Sequence, residues 1–179
     1  MQPIPAPARQ RGFTLIESAV AVAVLAAAAA SALPGLHDLI MRKRLEGRAA
    51  QLAADLQNVR TETVARNAPL RMSFYAHAGG SCYLVHTGAK AQCTCSAGQA
   101  PACSDGAQLV RAVELPAAER LTLSASTGSI LFDPLHGTTT PAATVRLGAA
   151  PGAIHHVVNV MGRVRSCTPE GRIAGYRSC

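Results

Sequence analysis

From Phe13 to Leu33 the chain runs for 21 residues with a single charge, Glu17, close to the start. As a helix at 1.5 Å per residue this stretch is about 32 Å long, enough to cross a bilayer core of about 30 Å. Residues 1–12 hold Arg9, Arg11 and three prolines but no apolar core. A secretory signal peptide carries its apolar stretch before the cleavage site. Here the stretch follows Gly12, so it survives removal of the leader. A partnerless carboxylate inside a membrane span costs roughly 2.5–3.5 kcal/mol on insertion scales. A plain anchor has no use for Glu17, so the residue points to a task beyond anchoring. The span is rich in alanine and only moderately apolar, which suits exchange of lipid for a helix-packed protein core.

The remaining 146 residues of the 179 suggest one globular domain. Loss of Arg9 and Arg11 with the leader leaves 15 Lys+Arg against 10 Asp+Glu, a net charge of +5. Lysine occurs only at 43 and 90, so the basic groups are nearly all arginine. Arginine favours planar, bidentate recognition of phosphate and carboxylate. Tryptophan is absent and aromatics are few, so the core must rest on Val, Leu, Ile and Ala.

All six cysteines, Cys82, Cys93, Cys95, Cys103, Cys167 and Cys179, follow the apolar span. An even number in that part of an exported chain reads as disulfides in an oxidising compartment. Cys167 and Cys179 stand apart near the end and are expected to pair, closing a tail that would otherwise fray. The other four then form two bridges whose pairing the sequence leaves open. A metal site built on Cys93, Cys95, Cys103 and His86 is the rival, but Cys-x-Cys is tighter than the usual zinc spacing. No metal and no cofactor are expected. The basic residues flanking the span nearly balance and leave its orientation undecided. The disulfides place the C-terminal part in the periplasm or outside the cell.

Leu45, Ala49, Leu52, Leu56, Val59 and Thr63 recur at steps of four and three, one face of a helix. Arg42, Arg44, Arg48, Gln51, Asp55 and Arg60 are assigned largely to its other faces. The cluster at 42–48 reads as a solvated or headgroup-facing surface rather than a nucleic-acid patch. Pro34 and Gly35 offer a kink, and Asn67-Ala68-Pro69 a stop. The segments are thus a leader at 1–12, a membrane helix at 13–35, an amphipathic helix at 36–67 and a β-domain at 68–179.

After Pro69 the pattern shifts to short strands at 70–76, 82–87, 108–115, 120–126, 129–133, 143–148 and 154–161, separated by Gly, Pro and Asp turn signals. The stretch 88–106 reads as a disulfide-tied loop. The fold class is α+β, a long N-terminal helix packed on an antiparallel β-domain. No Gly-x-Ser-x-Gly elbow, Walker loop or His-Glu-x-x-His motif occurs, so the chain is not expected to be an enzyme. His155 and His156 fall on opposite faces of a strand and are expected to be one half-buried and one exposed.

Gly162-Arg163-Val164-Arg165 carries the most functional information in the domain. On a strand, Arg163 and Arg165 project from one face about 7 Å apart, similar to the spacing of adjacent phosphates along a DNA strand. Arg172 and Arg177 lie in the tail that a Cys167–Cys179 bridge folds back. The bland alternative is a charged edge strand that blocks aggregation.

The stretch Gly12-Phe13-Thr14-Leu15-Ile16-Glu17 resembles the processing site of type IV prepilins and type II secretion pseudopilins. Phe132-Asp133-Pro134 with Gly137, and Val160–Cys167, are similar to the GspH/FimT family of minor pilins and pseudopilins. The resemblance implies cleavage after Gly12 by a prepilin peptidase, N-methylation of Phe13, and assembly with other pilins through the apolar helix. Glu17 would neutralise a neighbouring subunit's amino terminus. It also implies a two-sheet β-domain, and an inner-membrane protein that enters a pilus or pseudopilus. The Gly-Arg-x-Arg element is similar to that of FimT proteins. It implies that Arg163 and Arg165 contact duplex DNA during natural transformation, with Gly162 shaping the turn. The alternative is a structural minor pilin or GspH-like pseudopilin that primes or caps a filament without binding DNA.

Overall fold

The structure, a computed structural model, describes residues 14–150, 152–171 and 173–179, with the side chains of 31–34 left out. Arg9, Arg11, the Gly12-Phe13 processing site and Arg172 lie outside the described residues. The chain divides into two units between Leu39 and Ile40.

One helix, α1, runs from Leu15 to Arg66 without a break at Pro34 or Gly35. Thr14 opens it: its hydroxyl accepts the Glu17 N–H at 3.3 Å. Glu17 therefore occupies the first turn, where a carboxylate also complements the helix dipole. In the first unit the apolar stretch of α1 buries nothing and has the length and composition to cross a membrane. In the second unit Met41, Leu45, Ala49, Leu52, Leu56, Val59 and Thr63 are buried, the face that the 3.6-residue period marks out. Each fully buried leucine contributes about 1.5–3 kcal/mol. Asn67 ends the helix with φ of 49°. Its N–H donates to Val64 O at 3.1 Å and the Ala68 N–H to Thr63 O at 3.3 Å, a left-handed cap that satisfies two orphan carbonyls.

The β-domain holds two five-stranded sheets. The strands of the first are β1 (Leu70–His77), β2 (Gly80–His86), β5 (Leu109–Pro116), β7 (Ser129–Phe132) and β8 (Thr139–Thr140), ordered β5-β2-β1-β7-β8. The second contains β6 (Thr122–Ala125), β9 (Ala143–Ala149), β10 (Gly152–Val158), β11 (Val164–Thr168) and β12 (Arg177–Ser178), ordered β12-β11-β10-β9-β6. The pairing is antiparallel except for β11 with β12, which is parallel. A two-stranded hairpin, β3 (Cys93–Thr94) with β4 (Ala102–Cys103), lies inside the segment expected to be only a loop.

The α1 face, Leu70, Met72 and Ile130 of the first sheet, and Val145, Leu147, Ile154 and Val158 of the second share one core. Cys82, Leu84, Cys93 and Cys95 form a smaller one. The disulfides are Cys82–Cys95, Cys93–Cys103 and Cys167–Cys179. The C-terminal pair is the one expected, and the central pairing resolves what the sequence left open. His86, the fourth member of the rival metal set, is buried apart on Ser73 Oγ at 2.9 Å and Thr87 O at 2.8 Å.

Asp55 departs from the sequence reading. It is buried at 2 % exposure, not on an outer helix face. The Tyr83 hydroxyl and Arg111 Nη1 each donate to it at 2.6 Å. Burial and the Asp55 contact push the Tyr83 phenol well above its usual range. A buried carboxylate persists only when paired and hydrogen-bonded, and residues from β2 and β5 supply both.

Candidate nucleic-acid interface

The Gly-Arg-x-Arg element sits on the β10–β11 hairpin. The expected strand 154–161 stops at Val158 because Asn159 starts the turn. The Gly162 N–H donates to Asn159 O at 2.9 Å, and the Asn159 N–H to Arg163 O at 3.1 Å. The Asn159 side-chain oxygen accepts from the N–H groups of Met161 at 3.1 Å and Arg163 at 2.9 Å. Gly162 has φ of 71°, the left-handed glycine that closes a three-residue hairpin loop. A Cβ on Gly162 would lie 2.5 Å from Gly137 O and 2.9 Å from Arg60 Cδ. Gly162 is therefore buried at a close backbone contact. It shapes the turn, and it neither opens an approach for ligand nor offers a contact of its own.

Arg163 ends the turn and Arg165 is the second residue of β11; both are exposed. Arg165 lies opposite Val157 of β10. The Cys167–Cys179 bridge and the β11–β12 pairing hold Arg177 opposite Cys167. Along β10, Ile154, His156 and Val158 face the core, while His155 and Val157 face outward. The register then sets an outward row of Ser124, Arg146, His155, Cys167 and Arg177 across all five strands. The sequence reading missed Arg146, which is exposed on this row. The alternation Val145-Arg146-Leu147 marks it as outward-facing, but only the strand register brings it beside the hairpin arginines.

Among the described residues, no carboxylate pairs with Arg146, Arg163, Arg165 or Arg177. Elsewhere Arg42 and Lys43 pair with Glu46, Arg48 with Glu119, Arg66 with Glu62 and Arg111 with Asp55. Arg44, Arg60 and Arg71 bond to carbonyl or hydroxyl oxygens, and Lys90 and Arg120 have no carboxylate partner among the described residues. Glu46 and Glu119 thus offset part of the charge of the helical cluster at 42–48. The outer face of the second sheet holds open positive charge. Its strand positions 122, 124, 144, 146, 155, 157, 165 and 177 include no acid.

Both adjacent histidines have lowered pKa values. His155 is half-buried, and burial with the Arg146 charge disfavours its protonation. His156 is wholly buried, where an exposed or half-buried residue was expected. Burial, followed by the neighbouring His155, brings it down to about 4. Its Nδ1 lies 2.8 Å from Ser166 Oγ. Asp133 sits in the turn that Gly137 closes. Its pKa is lowered because its carboxylate accepts the His136 and Leu135 backbone N–H groups at 3.0 Å each. That turn supports the hairpin: the Arg60 Nε donates to Gly137 O at 2.9 Å, and the Thr139 N–H to Val160 O at 2.9 Å.

Residues 48–162, more than half of the chain, match the family described as type II transport protein GspH. Residues 7–33 match the prokaryotic N-terminal methylation motif. The fold is similar to that of the type IV minor pilin FimU of Pseudomonas aeruginosa (strain PAO1). In one crystal form the TM-score is 0.51 at 18 % identity, over 69 % of this chain and 88 % of that chain. In a second form it is 0.49 at 17 % identity, over 68 % and 91 %. No curated protein matches the chain. The GspH match ends at Gly162, so Arg163, Arg165 and the disulfide-tied tail lie beyond it.

Proposed function

The chain belongs to the GspH family, and on that premise we propose that it is a minor type IV pilin that binds extracellular duplex DNA for uptake in natural transformation. The observation that carries the DNA reading is the set of arginines, on the outer face of the second sheet and its hairpin, that have no carboxylate partner among the described residues. Arg163 and Arg165 take successive phosphates. Arg146 and Arg177 extend the positive surface across the strands. Nothing in the hairpin resembles a recognition helix, and no Phe or Tyr stands at the described outward strand positions of this sheet, so neither major-groove reading nor stacking on single strands is supported. Binding is through the backbone and non-specific, with Kd in the range of about 10⁻⁴–10⁻⁶ M.

In this reading the apolar segment anchors the precursor in the inner membrane with the β-domain in the periplasm, where its three disulfides form. A prepilin peptidase cleaves between Gly12 and Phe13. The new amino terminus is methylated, and Glu17 pairs with a neighbouring pilin's terminus during assembly. Intact-mass analysis of the membrane-extracted protein should show loss of residues 1–12 and gain of one methyl group. Glu17→Ala should insert normally and fail to enter filaments; its appearance in sheared pili at the parent level would remove the assembly role.

The DNA reading is tested by titrating the full-length chain in detergent with duplex DNA at low and moderate salt. Neutralising two to four phosphates gives a slope of log K against log salt of about −2 to −4. Arg163→Gln with Arg165→Gln should abolish most binding and flatten the slope by about two, with unfolding unchanged. The same variant should reduce transformation and leave piliation intact. Parent-like affinity and slope would favour the second reading, a structural minor pilin or type II secretion pseudopilin. The GspH match ends before the arginines and does not distinguish the two readings.

A further inference from the structure

The β10–β11 hairpin ends in two apolar side chains set in water, Val160 at 58 % and Met161 at 61 % exposure. Single exposed apolar residues are ordinary. These two are adjacent, at the outermost point of a tight turn, and the first open arginine follows after one glycine. The turn does not need them. Its shape comes from the Asn159 side chain, the left-handed Gly162 and the bond from the Thr139 N–H to Val160 O. Any pair of residues would satisfy those backbone bonds, so the chemistry of Val160 and Met161 is free to serve a partner. The neighbouring Arg163 and Arg165 specify that partner's charge as negative.

We propose that the β10–β11 hairpin enters the minor groove of bound duplex DNA, wedging Met161, with Val160 beside it, between base pairs while Arg163 and Arg165 hold the flanking phosphates. This deepens the DNA reading above and rests on it. Apolar wedges flanked by basic residues are the general device by which proteins kink a duplex from its minor groove. Methionine is long, unbranched and adaptable, and suits insertion between stacked bases. Unstacking demands a stiff wedge. The hairpin is fixed at its base by the Gly162–Gly137 contact and by the Thr139 hydroxyl, which donates to Asn159 O at 2.6 Å. The wedge also adds a preference that phosphate contacts alone lack. Pyrimidine–purine steps such as TA kink most easily, so duplexes containing them bind more tightly.

The test uses the full-length chain in detergent and a duplex of about 20 base pairs with 2-aminopurine at a central TA step, compared with a GC-rich duplex. The parent should raise 2-aminopurine fluorescence by unstacking the base and should favour the TA duplex a few-fold. Val160→Ser with Met161→Ser should bind about tenfold more weakly, keep the parent salt slope and lose the fluorescence rise. Both positions are exposed, so the variant's thermal unfolding should match the parent's. A parent-like affinity for the tip variant, or a parent that leaves 2-aminopurine quenched, overturns the wedge. So does a tip variant that binds DNA normally but fails to enter filaments, which would assign the tip to a neighbouring subunit. The arginine pair separates the two readings. If Arg163→Gln with Arg165→Gln binds like the parent, the DNA reading itself falls. If that variant loses binding and the tip variant does not, only the wedge falls.

Discussion

The two faces of the second sheet are built from alternate residues of the same strands and carry different tasks. Inward, Val145, Leu147, Ile154, His156 and Val158 are buried in the domain. Outward, Arg146, His155, Val157, Arg165 and Arg177 sit one residue away along the chain and have no core to fill. The inward apolar groups are packed, and His156 Nδ1 lies 2.8 Å from Ser166 Oγ while its Nε2 is buried without a hydrogen-bond partner. The outward arginines have no acidic partner among the described residues. Charge that finds its counter-ion inside the molecule, as Arg111 does on Asp55, is explained by the fold. Charge without an acidic partner on the outer strand positions is available to a group outside the molecule. Packing and open charge can therefore be separated residue by residue on one sheet.

That separation can be broken. The largest expected effect is on the inner face, where Leu147→Ala should cost about 2–5 kcal/mol of stability. Denaturant unfolding should report that loss, while the DNA salt slope of the folded protein stays unchanged; a changed slope would mean that the faces are coupled.

Next is the pH response of His156. Its folded pKa of about 4 lies below the unfolded value near 6.5, so the folded state binds fewer protons. The stability contribution is present above pH 6.5 and is lost as pH falls from there through about 4. The loss is on the order of 3 kcal/mol. His156→Gln should flatten unfolding free energy against pH in that window, at some cost in packing. An equally steep profile in the variant would place the proton elsewhere.

Smaller is Arg146→Gln on the outer face, which should flatten the salt slope by about one unit with unfolding unchanged. An unchanged slope would confine recognition to the hairpin. The smallest is Arg48→Gln on α1, which removes a partly exposed ion pair with Glu119. Its cost should be at most about 1 kcal/mol, with no change in DNA binding.

What could be read in advance follows from the range of the interactions. The α1 face from Leu45 to Thr63 was legible because helical period is local, and all six positions are buried. Asp55 was not. It adjoins Leu56 on the helix, and what buries it are Tyr83 and Arg111, 28 and 56 residues away. The longer strands were visible by alternation. The two-residue strands β3, β4, β8 and β12 were not, since two residues have no period and their pairing depends on disulfides or distant neighbours. The strand through Met161 was read too long because Asn159 counts as polar in a pattern, while in the fold its side chain makes the turn. At the candidate site, Arg163 and Arg165 were legible as a local motif. Arg146 required the register of β9 against β10, which no local signal carries.

The contact between Gly137 and Gly162 has a mechanical consequence. A load applied at Arg163 reaches a turn that is not free to peel from the sheet. It passes from Gly162 to the backbone at Gly137, and from Gly137 O to Arg60 on α1. The Thr139 bonds to Asn159 and Val160 run beside that path. A pull at the tip is thus resisted by the long helix as well as by one hairpin's ladder.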